Sequence, residues 1–359
     1  MRAVSTLAAG AAESGLGTTA SRSAPGARAR RPEETSLLHH RADRRQVAIV
    51  AIYWALLGSM YFVPACRNVL FLLLACYFSF LNAVVIHNHL HKGIFKSKTL
   101  NRAFRAVLSF GNLYAASANI ASHNLVHHHF DDDGQPDWAD PHWVTGEGVA
   151  FRWHLLNLIH FPNVAGPNTF AGVSRWAKIT RQRDFRRQYV LEQIVAFGLT
   201  AALLAYDFWT ALFFLVIPQL WGARGILRIN LIQHDGCDTG SEWNHSRNFV
   251  GRVFNWIMCN NGYHTIHHNR AGLHWSVLDE VHRKECAGRI DPALDEPSMT
   301  AYLLRTFVLR FSRPEERDVA ATERASTERV RLGQDGERSI ELPSREARRA
   351  EVEAAAFVD

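Results

Sequence analysis

Three short runs of the chain are dense in imidazole: His87-Asn88-His89-Leu90-His91, His123-Asn124-Leu125-Val126-His127-His128-His129 and His264-Thr265-Ile266-His267-His268. Residues three and four apart share one face of a helix. His87 and His91, then His123, His127 and His128, then His264, His267 and His268 are therefore each placed to converge on a point. His89 points off the shared face, and His129 is a neighbour rather than a ligand. Eight converging imidazoles are more than one ion takes, since a structural zinc uses about four ligands and a catalytic zinc about three and a water. The count predicts a two-metal site. Nitrogen ligation without thiolate suits zinc, copper, iron or nickel by ligand type, and the apolar setting of the runs points to iron.

The elements that must position these residues are membrane-like. Residues 47–65 and 69–86 are almost uncharged, and each approaches the roughly 20 residues that span a bilayer. Residues 189–206 and 208–227 form a second pair, with Glu192, Gln193, Asp207, Gln219 and Arg224 near helix ends or on a packed face. Cys66-Arg67-Asn68 closes one pair and Tyr206-Asp207 the other, which predicts two transmembrane hairpins. The expected fold is all-α and integral to the membrane, with four spans beneath a cytoplasmic helical cap that holds a histidine-rich di-metal site. Arg41, Arg44 and Arg45 precede the first span. Lys92, Lys96, Lys98, Arg102, Arg105 and a basic run over 175–187 lie between the hairpins, and Arg224 and Arg228 close the fourth span. By the positive-inside rule these segments are cytoplasmic, and all three histidine runs then share one face. Residues 103–122 are apolar enough to suggest a fifth span, but crossing there would put His123 opposite His87. An interfacial helix is expected instead.

The net charge of +6 reads as membrane topology and contact with anionic lipid, not as a nucleic-acid surface. The five cysteines form no C-x-x-C pair, so neither a disulfide framework nor a zinc knuckle is implied. Residues 1–45, rich in Ala, Ser, Gly and Arg, read as a disordered or organelle-targeting tail. Residues 46–312 read as the membrane domain, and the Glu- and Arg-rich 313–359 as a solvated tail. A histidine-lined metal transporter would carry ionisable residues inside its spans. These spans hold no histidine or carboxylate at mid-depth.

The three runs resemble the histidine boxes of the integral-membrane fatty acid desaturases and their hydroxylase relatives. H-x(3,4)-H is matched by HNHLH, and the two H-x(2,3)-H-H boxes by HNLVHH and HTIHH. Their order also agrees: after the second span, before the third and after the fourth. The resemblance covers about residues 45–290. In that superfamily a histidine after the fourth span completes the ligand set, and an asparagine four residues earlier holds a metal-bound water. Asn230-Leu231-Ile232-Gln233-His234 has that spacing, which implies His234 as a ninth ligand and Asn230 as a ligand through water. The family's acidic motif after box two makes Asp137 the best match among Asp131, Asp132, Asp133, Asp137 and Asp140 for orienting an imidazole through its other nitrogen. Asp235 and His245, beside Asp238 and Asn244, are expected to buttress the site similarly. Arg247 and Arg270 are candidates for contact with a substrate headgroup, a donor protein or lipid phosphate.

The resemblance implies an oxygen-dependent desaturase that puts a double bond into a fatty acyl chain or related lipid, using two ferrous ions and dioxygen. Hydroxylation on the same scaffold is the alternative. The chain has no G-x-G-x-x-G fingerprint after a strand and no iron–sulfur cysteine set. A separate ferredoxin or cytochrome b5 type electron donor is therefore expected on the basic face. The expected setting is a bacterial inner membrane, or an organelle membrane, with the site facing the cytoplasm.

Overall fold

A computed structural model describes residues 37–129, 137–140, 151–238 and 240–311. The tail expected at 313–359, residues 1–36 of that expected at 1–45, and Asp131, Asp132 and Asp133 lie outside these residues. The first hairpin is α1 (Arg44–Phe62) and α2 (Val69–His91). Pro64 opens the turn between them, and the Asn68 side chain caps α2 by accepting from the Phe71 amide. After α3 (Lys98–Asn112) and α4 (His154–Ile179) comes the second hairpin, α5 (Arg183–Tyr206) and α6 (Phe208–His234). There Asp207 caps the new helix by accepting from the Thr210 amide. Among the described residues, four helices are thus long and apolar enough to cross a membrane. They leave Val69, Leu70, Leu73, Phe208 and Trp209 exposed, as lipid-facing surfaces do. α2 and α6 each run several residues past their predicted apolar ends and so carry His87, His91 and His234.

The segment 103–122 is not one interfacial helix. α3 stops at Asn112, and Leu113, at φ 55°, turns the chain back in a left-handed conformation. The last carbonyls of a helix have no partner within it, and a bilayer interior offers no water to satisfy them. Side chains from three spans do so here. Tyr53 of α1 donates to the Gly111 carbonyl (2.8 Å), Asn82 of α2 to that of Leu108 (3.1 Å), and Gln219 of α6 to that of Phe110 (2.6 Å). Asn112 answers by donating to the carbonyl and hydroxyl of Ser79, at 3.1 and 3.2 Å. α3 therefore dips between α1, α2 and α6 and returns, as a re-entrant helix. Gly222 of α6 is required at this crossing, because a Cβ there would lie 2.3 Å from the Ser79 carbonyl oxygen.

The returning loop is pinned from the other side. Ser117 donates through its amide (2.8 Å) and hydroxyl (2.6 Å) to Glu192 of α5, which also accepts from Gln188 and lies 3.6 Å from Arg105. A carboxylate inside a span is costly unless paired, and these partners offset that cost. α4, which the sequence reading does not anticipate, packs Leu158, Phe161 and Ala165 against Ile229 and Ile232 of α6 despite holding Pro162 and Pro167. The cap comprises α7 (Arg252–Ile257), α8 (His264–Asn269), α9 (Leu278–Glu285) and α10 (Met299–Leu303), with a two-residue parallel pairing of β1 (Asn248–Phe249) and β2 (Asp295–Glu296).

A re-entrant α3 leaves both of its flanks on one side of the bilayer. Reporter fusions at residues 96 and 120 are expected to report the same side, with fusions at 67 and 207 on the opposite one. Residue 120 found beside residue 67 would make α3 a span and separate the histidine runs.

Candidate metal centre

His87 and His91 stand one turn apart at the end of α2 and share a face. His89 turns away and accepts from the Ile94 amide through Nδ1 at 3.3 Å. The second run departs from the predicted α-helix. Ile120–Val126 forms a π-helical turn, followed by a 3-10 turn at His127–His129. Widening the helix brings residues five apart onto one face, as π turns at functional sites do. His123 and His128 consequently meet, Nε2 to Nε2, at 3.1 Å. The side chain of His129 lies outside the described residues.

The third run starts a helix, as its Asn260-Asn261-Gly262 turn predicts. Cys259 and Asn260 are left-handed, at φ 48° and 59°, and a Cβ on Gly262 would lie 2.2 Å from the Phe249 carbonyl oxygen. Thr265 then donates its amide to Asn248 (2.9 Å), which fixes the start of α8 on β1. His234 ends α6 and donates from Nδ1 to the carbonyl of His245 at 3.0 Å, which leaves its Nε2 2.8 Å from Nε2 of His264.

These elements gather the ring nitrogens into two sets. His87, His91, His123 and His267 form one, and His127, His234, His264 and His268 the other, with the ligand atoms of each within 4.8 Å of one another. The sets cut across the runs: box two gives one residue to each, and box three gives His267 to the first and His264 and His268 to the second. His128 stands between them, its ring stacked on His268 at 4.3 Å and 4.8 Å from that of His91. Nine imidazoles are thus brought together.

Their chemistry fits metal. Nε2 of His87, His91 and His267 is buried with no hydrogen-bond partner among the described residues, and a buried lone pair left unpaired is costly. His264 faces His234 and His268 nitrogen to nitrogen, at 2.8 and 3.2 Å, where at most one proton fits in each contact. Burial holds His123, His264, His267 and His268 well below the usual histidine range, and the neighbouring imidazoles add to the shift. Neutral imidazole is the form that binds a metal.

Polar contacts around the rings set their orientation. Asp137 accepts from Nδ1 of His127 at 2.7 Å and from the Ala139 amide at 3.0 Å, while the Ala139 carbonyl accepts from Asn230 at 3.2 Å. That chain ties box two to α6 and leaves His127 Nε2 on the metal side. His245 touches His234 through its backbone carbonyl, and its ring lies 5.3 Å from that of His268. Asp235 is buried, and its carbonyl accepts from Arg247 at 3.1 Å. Arg247 also donates to the Ile232 carbonyl and lies over the Tyr302 ring; it fastens the end of α6 rather than meeting a headgroup. Arg270, exposed, pairs with Glu285.

Two supports escape the sequence reading. Asn261 donates to Asn88, between the box-one ligands, at 3.1 Å, and Gln233 donates to the Asn261 carbonyl at 2.9 Å. Behind the first set, Asp43 accepts from Trp275 (2.9 Å), pairs with His274 (3.0 Å) and accepts from Gln46 (2.9 Å), latching the start of α1 to the loop after box three. The sequence signal for this latch is Leu273-His274-Trp275, close behind box three. A cavity of about 100 Å3 lies against the rings, walled by His87, His123, His127 and His264 on one side and Ile226 and Leu227 on another.

Among the described residues, four helices long and apolar enough to cross a membrane, with two histidine sets at one end that could each hold a metal ion, define the class as an integral-membrane helical protein with a histidine-rich site. The chain belongs to the fatty acid desaturase family, whose model matches residues 63–294. That match takes in all three histidine runs, in agreement with the resemblance carried by the boxes. No curated protein matches the chain, and neither does any solved structure.

Removing an imidazole's orienting carboxylate typically lowers metal affinity about 10–100-fold. Asp137→Asn is expected to weaken retention of one of the two ions by that order while the protein still inserts. Metal counted per chain against chelator concentration checks it, and unchanged retention of both ions would remove Asp137 from the support of His127.

Proposed function

We propose that the protein is a membrane-bound, oxygen-dependent di-iron desaturase acting on a fatty acyl chain or related lipid. The observation that carries this is the pair of buried imidazole sets placed against a largely apolar cavity. His87, His91, His123 and His267 would hold one ferrous ion, and His127, His234, His264 and His268 the other, with His128 completing the set between them. Asn230, on the cavity wall, would act through a water. When bound, the iron pair supplies dioxygen reduction and the oxidising power to take hydrogen from an unactivated methylene.

The rest falls to the chain itself. Asp137 and the His245 carbonyl fix which nitrogen of His127 and of His234 faces the metal. Ile226, Ile229 and Leu227 give the substrate an apolar wall, and the buried setting of the rings excludes bulk water. Desaturation takes two hydrogens from adjacent carbons and consumes one dioxygen, two electrons and two protons to give two waters. Hydroxylation uses the same inputs to give one alcohol and one water. Substrate register in the cavity decides between them, and hydroxylation remains the second outcome of the test. The electrons come from a separate ferredoxin or cytochrome b5 type protein on the basic face, with the site turned to the cytoplasm of a bacterial inner membrane.

The test is mass spectrometry of total lipids from cells making this chain with a compatible reductase and donor, beside cells making His267→Ala. A lipid lighter by two hydrogens only in the first is expected. A gain of one oxygen would instead establish a hydroxylase, and identical lipids from a purified protein that holds two irons would overturn an acyl substrate.

A further inference from the structure

The cavity beneath the histidines does not end at its apolar wall. A second cavity of about 170 Å3 shares Asn119, Thr169, Ile226 and Leu227 with it and runs between α4, α5 and α6. Its rim includes Phe170 of α4 and Phe197 of α5, which are 55% and 43% exposed. Phe197 belongs to a span, and its neighbours Ile194 and Leu199 are exposed with it. In a bilayer that surface meets lipid tails, so the rim opens sideways into the membrane.

Charge is distributed to match an amphiphile. Among the described residues, neither cavity has Lys or Arg in its wall. The cations stand where α4 passes into α5: Arg175, Lys178, Arg181, Arg183, Arg186 and Arg187 are all exposed. Arg186 precedes the wall residue Tyr189 by three positions, about one helical turn. A molecule whose anionic head rested on that collar would have its tail at the rim. A carrier soluble in water would need cations around a mouth open to water, whereas this mouth is framed by Phe197 of a span and Phe170 of the neighbouring α4.

We propose that the substrate is an anionic phospholipid of the surrounding bilayer, its phosphate held by the basic connection between α4 and α5 and one acyl chain passing between Phe170 and Phe197 toward the histidines. The proposal rests on the acyl-desaturase function and adds the carrier and the route. Basic residues near a membrane surface attract anionic headgroups by about 1 kcal/mol each, or roughly fivefold, so the collar favours anionic over zwitterionic lipid. α4 is then the outer wall of an entry path, which gives a role to an element that no histidine run requires.

The experiment uses the full chain in phosphatidylcholine vesicles containing a trace of phosphatidylglycerol with a diazirine midway along one acyl chain. Parallel samples carry the same chain on phosphatidylcholine or on coenzyme A. After irradiation, adducts on Thr169, Ile226 or Leu227 are expected from the phosphatidylglycerol probe. Gly166→Trp, which would fill the cavity opposite Leu227, and independently Ala118→Phe are expected to lose them while adducts on lipid-facing Trp209 persist. Replacing Arg186 and Arg187 together by Gln is expected to weaken cavity labelling at least about threefold. Phospholipid adducts confined to Trp209 and Phe213 would overturn the route, and equal cavity labelling from phosphatidylcholine would overturn the anionic head. Cavity labelling by the coenzyme A probe alone would overturn the phospholipid carrier yet leave the acyl-desaturase function standing. The iron content of the same preparation reads the metal centre separately.

Discussion

Nine imidazoles crowd into one largely buried site, and several of their nitrogens face one another rather than hydrogen-bond donors. Nε2 of His87, His91 and His267 is buried with no hydrogen-bond partner among the described residues; leaving such acceptors unpaired opposes folding, and charging them would oppose it more. A cation among the converging lone pairs would offset that cost. Much of the cap serves to keep the lone pairs aimed. Asp137, the His245 carbonyl and the Asn88–Asn261–Gln233 contacts act on or between the elements that carry the rings.

The same need explains how the spans are joined. The histidines of the two sets come from the ends of α2 and α6, from a π turn and from a short cap helix, so a shift in any one would separate the sets. α3 locks the first three of these together by placing its terminal carbonyls among Tyr53, Asn82 and Gln219, while Glu192 fixes the returning loop that leads into box two. Hydrogen bonds of this kind inside a bilayer are worth only about 0.6 kcal/mol on average. Their value here is geometric, because the unsatisfied alternatives are costly and few other placements satisfy every partner.

Much of this was legible in the sequence because its signals are periodic or compositional. Two apolar pairs closed by two- and three-residue links specify hairpins, and spacings of three and four place imidazoles on a common face. His234 and Asp137 were legible only through family resemblance, since one histidine at a helix end and one aspartate in an acidic loop carry no periodic signal. The departures have physical causes. The segment 103–122 reads as a single amphipathic helix because its break at Leu113 depends on carbonyl partners in three other helices. Box two reads as an α-helix because nothing local marks a π turn. α4 hides because Pro162 and Pro167 and mixed polarity mask a helix whose stability comes from packing on α6.

The division of the histidines into two sets is the point on which the function turns, because dioxygen chemistry at an unactivated methylene is proposed here for two irons acting together. Anomalous scattering measured on either side of the iron absorption edge, from crystals of protein produced with iron, tests that division directly. Two iron peaks are predicted, one among His87, His91, His123 and His267 and one among His127, His234, His264 and His268. A single peak, or peaks that appear at the zinc edge alone, would contradict it.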